Sequence, residues 1–342
     1  MSKPSRYAQA GVDIDAGDRV KKRIIQLARD TFSPGVLHRD GAFGGLYSLA
    51  NLNLKKPVLV SSVDGVGTKV KVATMCGDHS GIGADLVNHC IDDILTCGAQ
   101  PLLFLDYYAC HTLDDSILVQ VVEGMSAACK AAGVSLIGGE TAQMSDVYAK
   151  NEYDLAGTII GVVDEDDIID GQSIQPGDAL FALPSSGLHT NGYTLARKVL
   201  FDEAGVHIDE TPEGFSQPLG KTLIKPHRCY LPEFHHVKDH VSIKGIAHIT
   251  GGGFEGNIPR VLPDGCCARV DAAAWTPPAV FQLMQEKGSI SRDEMYKVFN
   301  MGIGLIFIVS PCDAVKLSTL LPEGCKIGEI ETGDGVKMNF ES

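Results

Sequence analysis

The sequence predicts two α+β domains, and three observations carry that prediction. At 342 residues the chain can bury two cores of ordinary domain size. Apolar strand-like runs and amphipathic helical runs are mixed in both halves, without the regular strand–helix alternation of a doubly wound parallel sheet. Between the halves lies the acidic, turn-rich stretch Asp164–Gly177 (D-E-D-D-I-I-D-G-Q-S-I-Q-P-G), which reads as a connection. The expected domains are residues 1–165 and 175–342.

The elements follow in order. Residues 1–17 are polar and read as a loosely held arm, and Val20, Ile24, Leu27 and Ala28 then give a helix over Asp18–Thr31, with Asp15 or Asp18 to cap it. Pro34 stops that helix, and His38–Leu46 reads as a glycine loop. Pro57–Val63 is strand-like and ends in Asp64-Gly65-Val66-Gly67-Thr68-Lys69, after which a short helix runs towards Gly77. Ala84–Cys97 is a helix with Leu86, Val87, Cys90, Ile91, Ile94 and Leu95 on one broad face, interrupted by Asp92 and Asp93. Pro101–Cys110 is a strand, Asp115–Ala132 an amphipathic helix closed by Gly133, and Val134–Ile137 a strand leading into Gly138-Gly139-Glu140-Thr141. Asp154–Val163 completes the first half. In the second, Ala179–Leu183, Gly245–His248, Ile303–Val309 and Val336–Phe340 read as strands. Helices are expected around Leu195–Leu200 and Asn257–Val261.

Composition narrows the function. A net charge of −14 supplies no basic field for nucleic acid or an anionic membrane, so any phosphate site must be local. The ten cysteines are scattered without a C-x-x-C pair, no apolar h-region opens the chain, and no apolar run reaches the ~20 residues of a membrane span. The expectation is a cytoplasmic protein with reduced thiols.

Five stretches carry the chemistry. Asp64–Lys69 delivers a carboxylate, two glycines, a hydroxyl and an ammonium at a strand end, which is either a phosphate-and-metal station or a plain glycine turn. Gly138–Thr141 repeats that design. Of Asp92 and Asp93, adjacent on a mostly apolar helix, one is expected to face a site, because helical neighbours diverge by ~100°. In the second half, Ser185-Ser186-Gly187-Leu188-His189-Thr190-Asn191-Gly192 lacks the glycine spacing of a nucleophile elbow and reads as a substrate-binding loop. His189 and His248 each stand at a strand end beside glycines and hydroxyls, whereas the other histidines show no ligand-like spacing. Thr250-Gly251-Gly252-Gly253 with Asn257 and Arg260 could cradle a phosphate, or could be a glycine connection. No G-x-G-x-x-G dinucleotide fingerprint or Walker-type loop is present.

Motifs in order along nearly the whole chain give a further signal. They are A-G-V-D-I-D-A-G (Ala10–Gly17), F-G-G-L (Phe43–Leu46), D-G-V-G-T-K (Asp64–Lys69), L-F-L-D-Y-Y-A (Leu103–Ala109), G-G-E-T-A (Gly138–Ala142) and Y-D-L-A-G (Tyr153–Gly157). The second half adds S-S-G-L-H-T-N-G-Y (Ser185–Tyr193), A-H-I-T-G-G-G (Ala247–Gly253), N-I-P-R-V-L-P (Asn257–Pro263) and F-N-M-G-I-G (Phe299–Gly304). With these the chain resembles the phosphoribosylformylglycinamidine cyclo-ligase (AIR synthetase) family. The resemblance implies ATP-dependent ring closure of formylglycinamidine ribonucleotide in purine synthesis. It also implies a homodimer whose N-terminal domains form a β-barrel across the dimer, a C-terminal α/β sandwich, and ATP with Mg²⁺ in a cleft between domains. Carried onto this sequence, Asp64, Asp93 and Glu140 would hold Mg²⁺. The triphosphate would meet Gly65, Gly67, Thr68, Lys69, Gly138, Gly139 and Thr141. His189, His248 and Lys69 would act in catalysis, and Ser186, Gly187, Asn191, Thr250, Gly251, Gly252, Gly253, Asn257 and Arg260 would hold the ribonucleotide. The chain departs from the family at Ala8 and Gln9, which replace a lysine and an aspartate, at Asp92, where asparagine is usual, and at Gln143. The alternatives left open are a catalytically weakened nucleotide-binding homodimer and a superfamily kinase acting on another small acceptor.

Overall fold

The structure, a computed structural model, describes residues 14–37 and 44–340, with side chains from Val20 onward. Ala8, Gln9 and the loop from His38 to Phe43 lie outside the described residues. The chain forms two compact units. One comprises the described residues before Leu95 together with Gln100–Asp164, and the other comprises Leu95–Ala99 and the described residues from Glu165 onward.

In the first unit, α1 (Ile14–Arg29) begins ahead of the expected start, so Asp15 and Asp18 lie inside it. Then come β1 (Pro57–Gly65), α2 (Lys69–Cys76), α3 (Ile82–Leu95), β2 (Gln100–Cys110), α4 (Asp115–Ala132), β3 (Ser135–Gln143) and β4 (Tyr153–Asp164). The capping chemistry of α4 is written in its sequence. The Asp114 carboxylate accepts from the N–H groups of Ser116 and Ile117, and Gly133 ends the helix at φ 69°. The strands form one sheet in the order β1-β4-β2-β3, with β2–β3 parallel and the other pairs antiparallel.

Strand alternation gives this sheet two unlike faces. One bears Phe104, Tyr108, Leu155 and Ile159, all buried. The helices lie on that side: the Cys90 thiol of α3 points to the Gly157 carbonyl, and Leu86 and Phe104 fill the space a Cβ at Gly157 would need. The helices themselves meet at Gly83 and Gly124. A Cβ on Gly83 would come within 1.9 Å of the Val121 carbonyl oxygen, so only glycine permits this approach. The other face carries Leu59, Val63 and Tyr107, which are 61%, 67% and 37% exposed. Across the strands the register aligns Asp64 with Gly157, Gly157 with Asp106, and Asp106 with Gly139, all on the helix-covered side.

The second unit is built on a six-stranded sheet in the order β10-β7-β9-β5-β8-β6. Its strands are β5 (Ala179–Pro184), β6 (Ile243–His248), β7 (Cys266–Asp271), β8 (Ile303–Val309), β9 (Cys325–Thr332) and β10 (Gly335–Asn339). Every residue of β8 is buried, which is why it reads as a continuous apolar run. The helices are α5 (Tyr193–Arg197, continued as a π-helix over Lys198–Glu203), α6 (Leu219–Leu223), α7 (Leu231–Val237), α8 (Gly253–Asn257), α9 (Ala279–Gly288), α10 (Arg292–Val298) and α11 (Pro311–Leu320). Strands β7 and β9 and helices α9 to α11 were absent from the sequence reading. Among the described residues no helix is long and apolar enough to cross a membrane.

Candidate active site

In the first unit the polar chemistry is gathered along one edge of α3, facing β1. Asp85, His89 and Asp93 recur every four residues and therefore share a helix face. Ser62 and Asp64 alternate onto the facing side of β1. The two sets interlock. His89 Nε2 lies 2.9 Å from Asp64 Oδ2, and the Ser62 hydroxyl donates to Asp93 Oδ2 at 2.7 Å. The Gly65 N–H donates to Asp64 Oδ1 at 2.6 Å, so this amide, expected on phosphate, is turned onto the neighbouring carboxylate. Asp64 remains 36% exposed while His89 is buried. Each carboxylate oxygen carries two lone pairs, so Asp64 and Asp93 retain acceptor capacity beyond these bonds. Hard oxygen donors in this arrangement suit Mg²⁺. Asp92, the other member of the acidic pair, is fully buried rather than on a solvated edge.

Lys69 departs from the expectation. Its side chain has no exposure and its ammonium lies 2.7 Å from the equally buried Asp85. Burial holds its pKa below the ordinary lysine value, with Asp85 opposing that shift. The ammonium therefore braces the loop after β1 from inside instead of projecting from it. Gly67, at φ 63° with open space around it, and the half-buried Thr68 form the exposed turn of that loop.

Glu140 also departs from the expected metal set. It pairs in register with Tyr107, which belongs to the open face, and β3 is the opposite edge strand from β1. Three inter-strand spacings of about 4.8 Å separate those edges, so this unit alone does not bring Glu140 to Asp64 and Asp93. Gly138 to Thr141 are exposed along this edge. Gly139 has a second reason to be glycine, because a Cβ there would fall 2.2 Å from Asp106 Oδ1.

Asp106 itself was missed by the sequence reading. Burial pushes its carboxyl up to about 7 from an ordinary 3.8. The folded state thus keeps a proton through the pH 4–7 window in which the unfolded chain has released it, and stability falls as pH rises across that window. Asp106→Asn removes this slope. Measured by urea denaturation, the variant should gain roughly 1–3 kcal/mol on the wild type between pH 5 and pH 8. Parallel stability–pH curves would exclude the buried proton.

In the second unit two glycine-rich loops meet at the ends of β5 and β6. The first, after β5, is held from several sides. The Ser185 hydroxyl and the Asn300 amide both donate to the Gly187 carbonyl, at 2.8 and 2.9 Å, which accounts for the F-N-M-G motif. The Ser186 hydroxyl donates to the Pro226 carbonyl at 2.6 Å. It is the Ser186 backbone N–H, not its hydroxyl, that donates to His189 Nε2, at 3.2 Å. The hydroxyls of Ser185 and Ser186 are thus directed to the Gly187 and Pro226 carbonyls. His189 adopts φ 65°, an uncommon conformation for a bulky side chain, and is buried. In the second loop, Gly252 and Gly253 have φ 92° and 56°, and a Cβ on Gly253 would fall 2.0 Å from the Tyr296 carbonyl oxygen. Asn257 is buried and donates to the carbonyls of Thr250, Gly251 and Gly253, so it is the strut of this loop rather than an outward-facing ligand. Thr250 donates to Asn257 Oδ1 at 3.1 Å. Gly251 and Gly252 are exposed, as is Arg260 on the following 3₁₀ turn. Asn191 joins the loops: its Oδ1 is 3.1 Å from where a Cβ on Gly251 would lie.

Between the loops sits a buried trio of imidazoles, His189, His227 and His248. His227, passed over in the sequence because nothing in its spacing marks it, stacks on His189 with ring centroids 3.9 Å apart. Its Nε2 meets His248 Nε2 at 3.2 Å. The three offer nitrogens within 4.8 Å of one another. The Ser186 N–H occupies His189 Nε2, and the His189 and His227 rings stack with an inclination of 27°.

Comparison with known proteins gives the family. Residues 49–163 match the family described as AIR synthase related protein, N-terminal domain, and residues 175–341 match the corresponding C-terminal domain. A phosphoribosylformylglycinamidine cyclo-ligase of Myxococcus xanthus is 49% identical over 333 residues, covering 96% of each chain. A protein of the same name from Geobacillus thermodenitrificans is 46% identical over 336 residues, covering 97% of each. Among solved structures, E. coli HypE, a hydrogenase maturation protein, superposes with a TM-score of 0.68 at 17% identity over 93% of each chain, a likeness of fold. With two matched domains and near-full-length identity approaching one half, the chain belongs to the phosphoribosylformylglycinamidine cyclo-ligase (AIR synthetase) family.

Proposed function

We propose that the protein closes the imidazole ring of 5-aminoimidazole ribonucleotide from formylglycinamidine ribonucleotide, converting ATP to ADP and phosphate. The observation that carries this reading is the 49% identity to a named cyclo-ligase over 96% of the chain. In this reaction the formyl oxygen takes the γ-phosphoryl group, the ribose-bearing nitrogen attacks the activated carbon, and phosphate leaves with that oxygen.

Phosphoryl transfer depends on positioning and charge neutralisation. In this reading Asp64 and Asp93 hold Mg²⁺, which when bound neutralises charge on the triphosphate. His89 and Ser62 orient the two carboxylates, and the exposed turn at Gly67 and Thr68 meets phosphate. Lys69 enters as the internal brace of that turn. His189 and His248 serve the ribonucleotide side, in proton transfer or in stabilising the oxygen that receives phosphate. Gly251, Gly252, Arg260 and Asn191 receive the ribose phosphate, on a loop shaped by Asn257. The open, apolar sheet face with Leu59, Val63 and Tyr107 supports a homodimer formed sheet to sheet, in which Glu140 and Gly138 face the second copy. The scattered free cysteines fit a cytoplasmic location.

ADP release measured with ATP and Mg²⁺, with and without formylglycinamidine ribonucleotide, tests the reading. Release should require the ribonucleotide and match the aminoimidazole product one to one. Hydrolysis indifferent to the ribonucleotide, or ATP binding without turnover, would instead indicate the weakened nucleotide-binding protein.

A further inference from the structure

Trp275, the one tryptophan of the chain, stands half-buried between β7 and α9 and makes contacts in two directions. Its indole N–H donates to the Met301 carbonyl at 2.9 Å. Its ring stacks on Phe254, with centroids 5.7 Å apart and planes inclined by 28°, and meets Tyr296 edge-on at 6.1 Å.

Met301 lies in the turn over residues 300–302, and this turn holds the first glycine-rich loop. The Gly302 carbonyl accepts from the Ser185 N–H at 2.8 Å, and the Asn300 amide donates to the Gly187 carbonyl at 2.9 Å. The turn needs support from outside. Met301 has φ 50°, a left-handed conformation that costs any residue with a Cβ, and Gly302 follows at φ 93°. Met301 is also buried, and a buried carbonyl requires a donor. The indole N–H supplies one. Pro278, three residues beyond Trp275, packs on the same turn: a Cβ on Gly302 would fall 2.4 Å from its Cδ.

The other direction leads to the second loop. Phe254 directly follows Gly253 and is fully buried. Its ring lies 5.7 Å from that of Tyr296, whose carbonyl is the group that forbids a Cβ on Gly253. Trp275, Phe254 and Tyr296 thus close a triangle of rings behind the second loop, and ring pairs of this kind carry an orientation preference that aliphatic packing lacks. A displaced indole would be felt at the first loop through its hydrogen bond and at the second through its stack.

We propose that Trp275 is a positioning residue that holds the two loops in register with each other, its N–H fixing the first and its ring the second. That the loops hold the ribonucleotide rests on the cyclo-ligase reading. Trp275 acts through Met301 and Phe254, not on the substrate itself.

Three variants separate the two contacts. Trp275→Phe keeps an aromatic ring against Phe254 and removes the N–H. Phe254→Leu keeps the N–H bond and removes the stack, and Trp275→Leu removes both. Amide hydrogen exchange of the folded proteins without ligand reads each loop by itself. Trp275→Phe should speed exchange about tenfold at residues 185–190 and leave residues 250–254 within about threefold. Phe254→Leu should do the reverse, and Trp275→Leu should speed both. In turnover, Trp275→Phe should lower kcat about three- to tenfold with KM for the ribonucleotide within about threefold, because His189 rides on the first loop. Trp275→Leu should in addition raise that KM about tenfold, because the second loop receives the ribose phosphate. Exchange that rises evenly across the second unit, or at neither loop, would overturn the proposal, as would wild-type kcat and KM in Trp275→Leu. Should Trp275→Leu fail to fold, the other two variants decide by their opposite exchange patterns. A wild-type protein that does not close the ring would sink the cyclo-ligase reading, while the exchange patterns would still decide whether Trp275 ties the loops together.

Discussion

Asp64→Asn should lower kcat for ribonucleotide-dependent ADP release by about 10²–10³-fold while leaving the protein folded. The exchange keeps side-chain volume and removes one negative charge at a position 36% exposed at a strand end. The amide oxygen can still accept from the Gly65 N–H, and the loop keeps its shape. Both the charge that would face Mg²⁺ and the acceptor for His89 are lost. Raising Mg²⁺ should recover little, because the missing group is a charge and not an occupancy. A variant with wild-type turnover at ordinary Mg²⁺ would remove Asp64 from the metal site and return the D-G-V-G-T-K run to a structural turn.

Lys69→Met should destabilise the first unit by about 3–5 kcal/mol, the range for removing one member of a buried ion pair. The Asp85 carboxylate would be left in a site where neither side chain has any exposure. The double variant Lys69→Met with Asp85→Leu should recover most of the loss, since apolar groups of similar volume replace buried pairs without penalty. Urea denaturation of the two proteins checks this. A single variant as stable as the wild type, with ATP affinity reduced instead, would show that the ammonium serves the nucleotide after all.

These two residues, five apart in one motif, show what the sequence could and could not convey. The motif marked a strand end with chemistry, and Asp64 is where that reading put it. Lys69 belongs to the first turn of a helix whose partner, Asp85, lies on another helix, and nothing local announces that a lysine will be covered. The i, i+4 ladder Asp85–His89–Asp93 is legible in the spacing, but the adjacent acids Asp92 and Asp93 are the more conspicuous local signal. Glu140 looked like a third metal ligand because its local pattern repeats that of Asp64; strand order and pleat, which are non-local, place it on the other edge and the other face. In the second unit the three glycines were read as an approach for phosphate. Gly253 is instead required by the Tyr296 carbonyl, and Asn257 turns inward to close the loop. Strands β7 and β9 and helices α9 to α11 escaped because their apolar residues are spread over short elements whose burial depends on partners far along the chain.

Strand β1 serves two masters. Alternate residues belong to the open apolar surface and to the acid-lined surface, so Val63 and Asp64 are neighbours with opposite duties. Adding or deleting one residue ahead of the strand, in the Lys55–Lys56 approach, would exchange them: a carboxylate would enter the apolar surface and valine would face His89. In the proposed reading, self-association and phosphate chemistry would then fail together, from a change that removes no functional group at all. The length of this approach is therefore as constrained as the identity of Asp64, a constraint that a tally of functional side chains would never reveal.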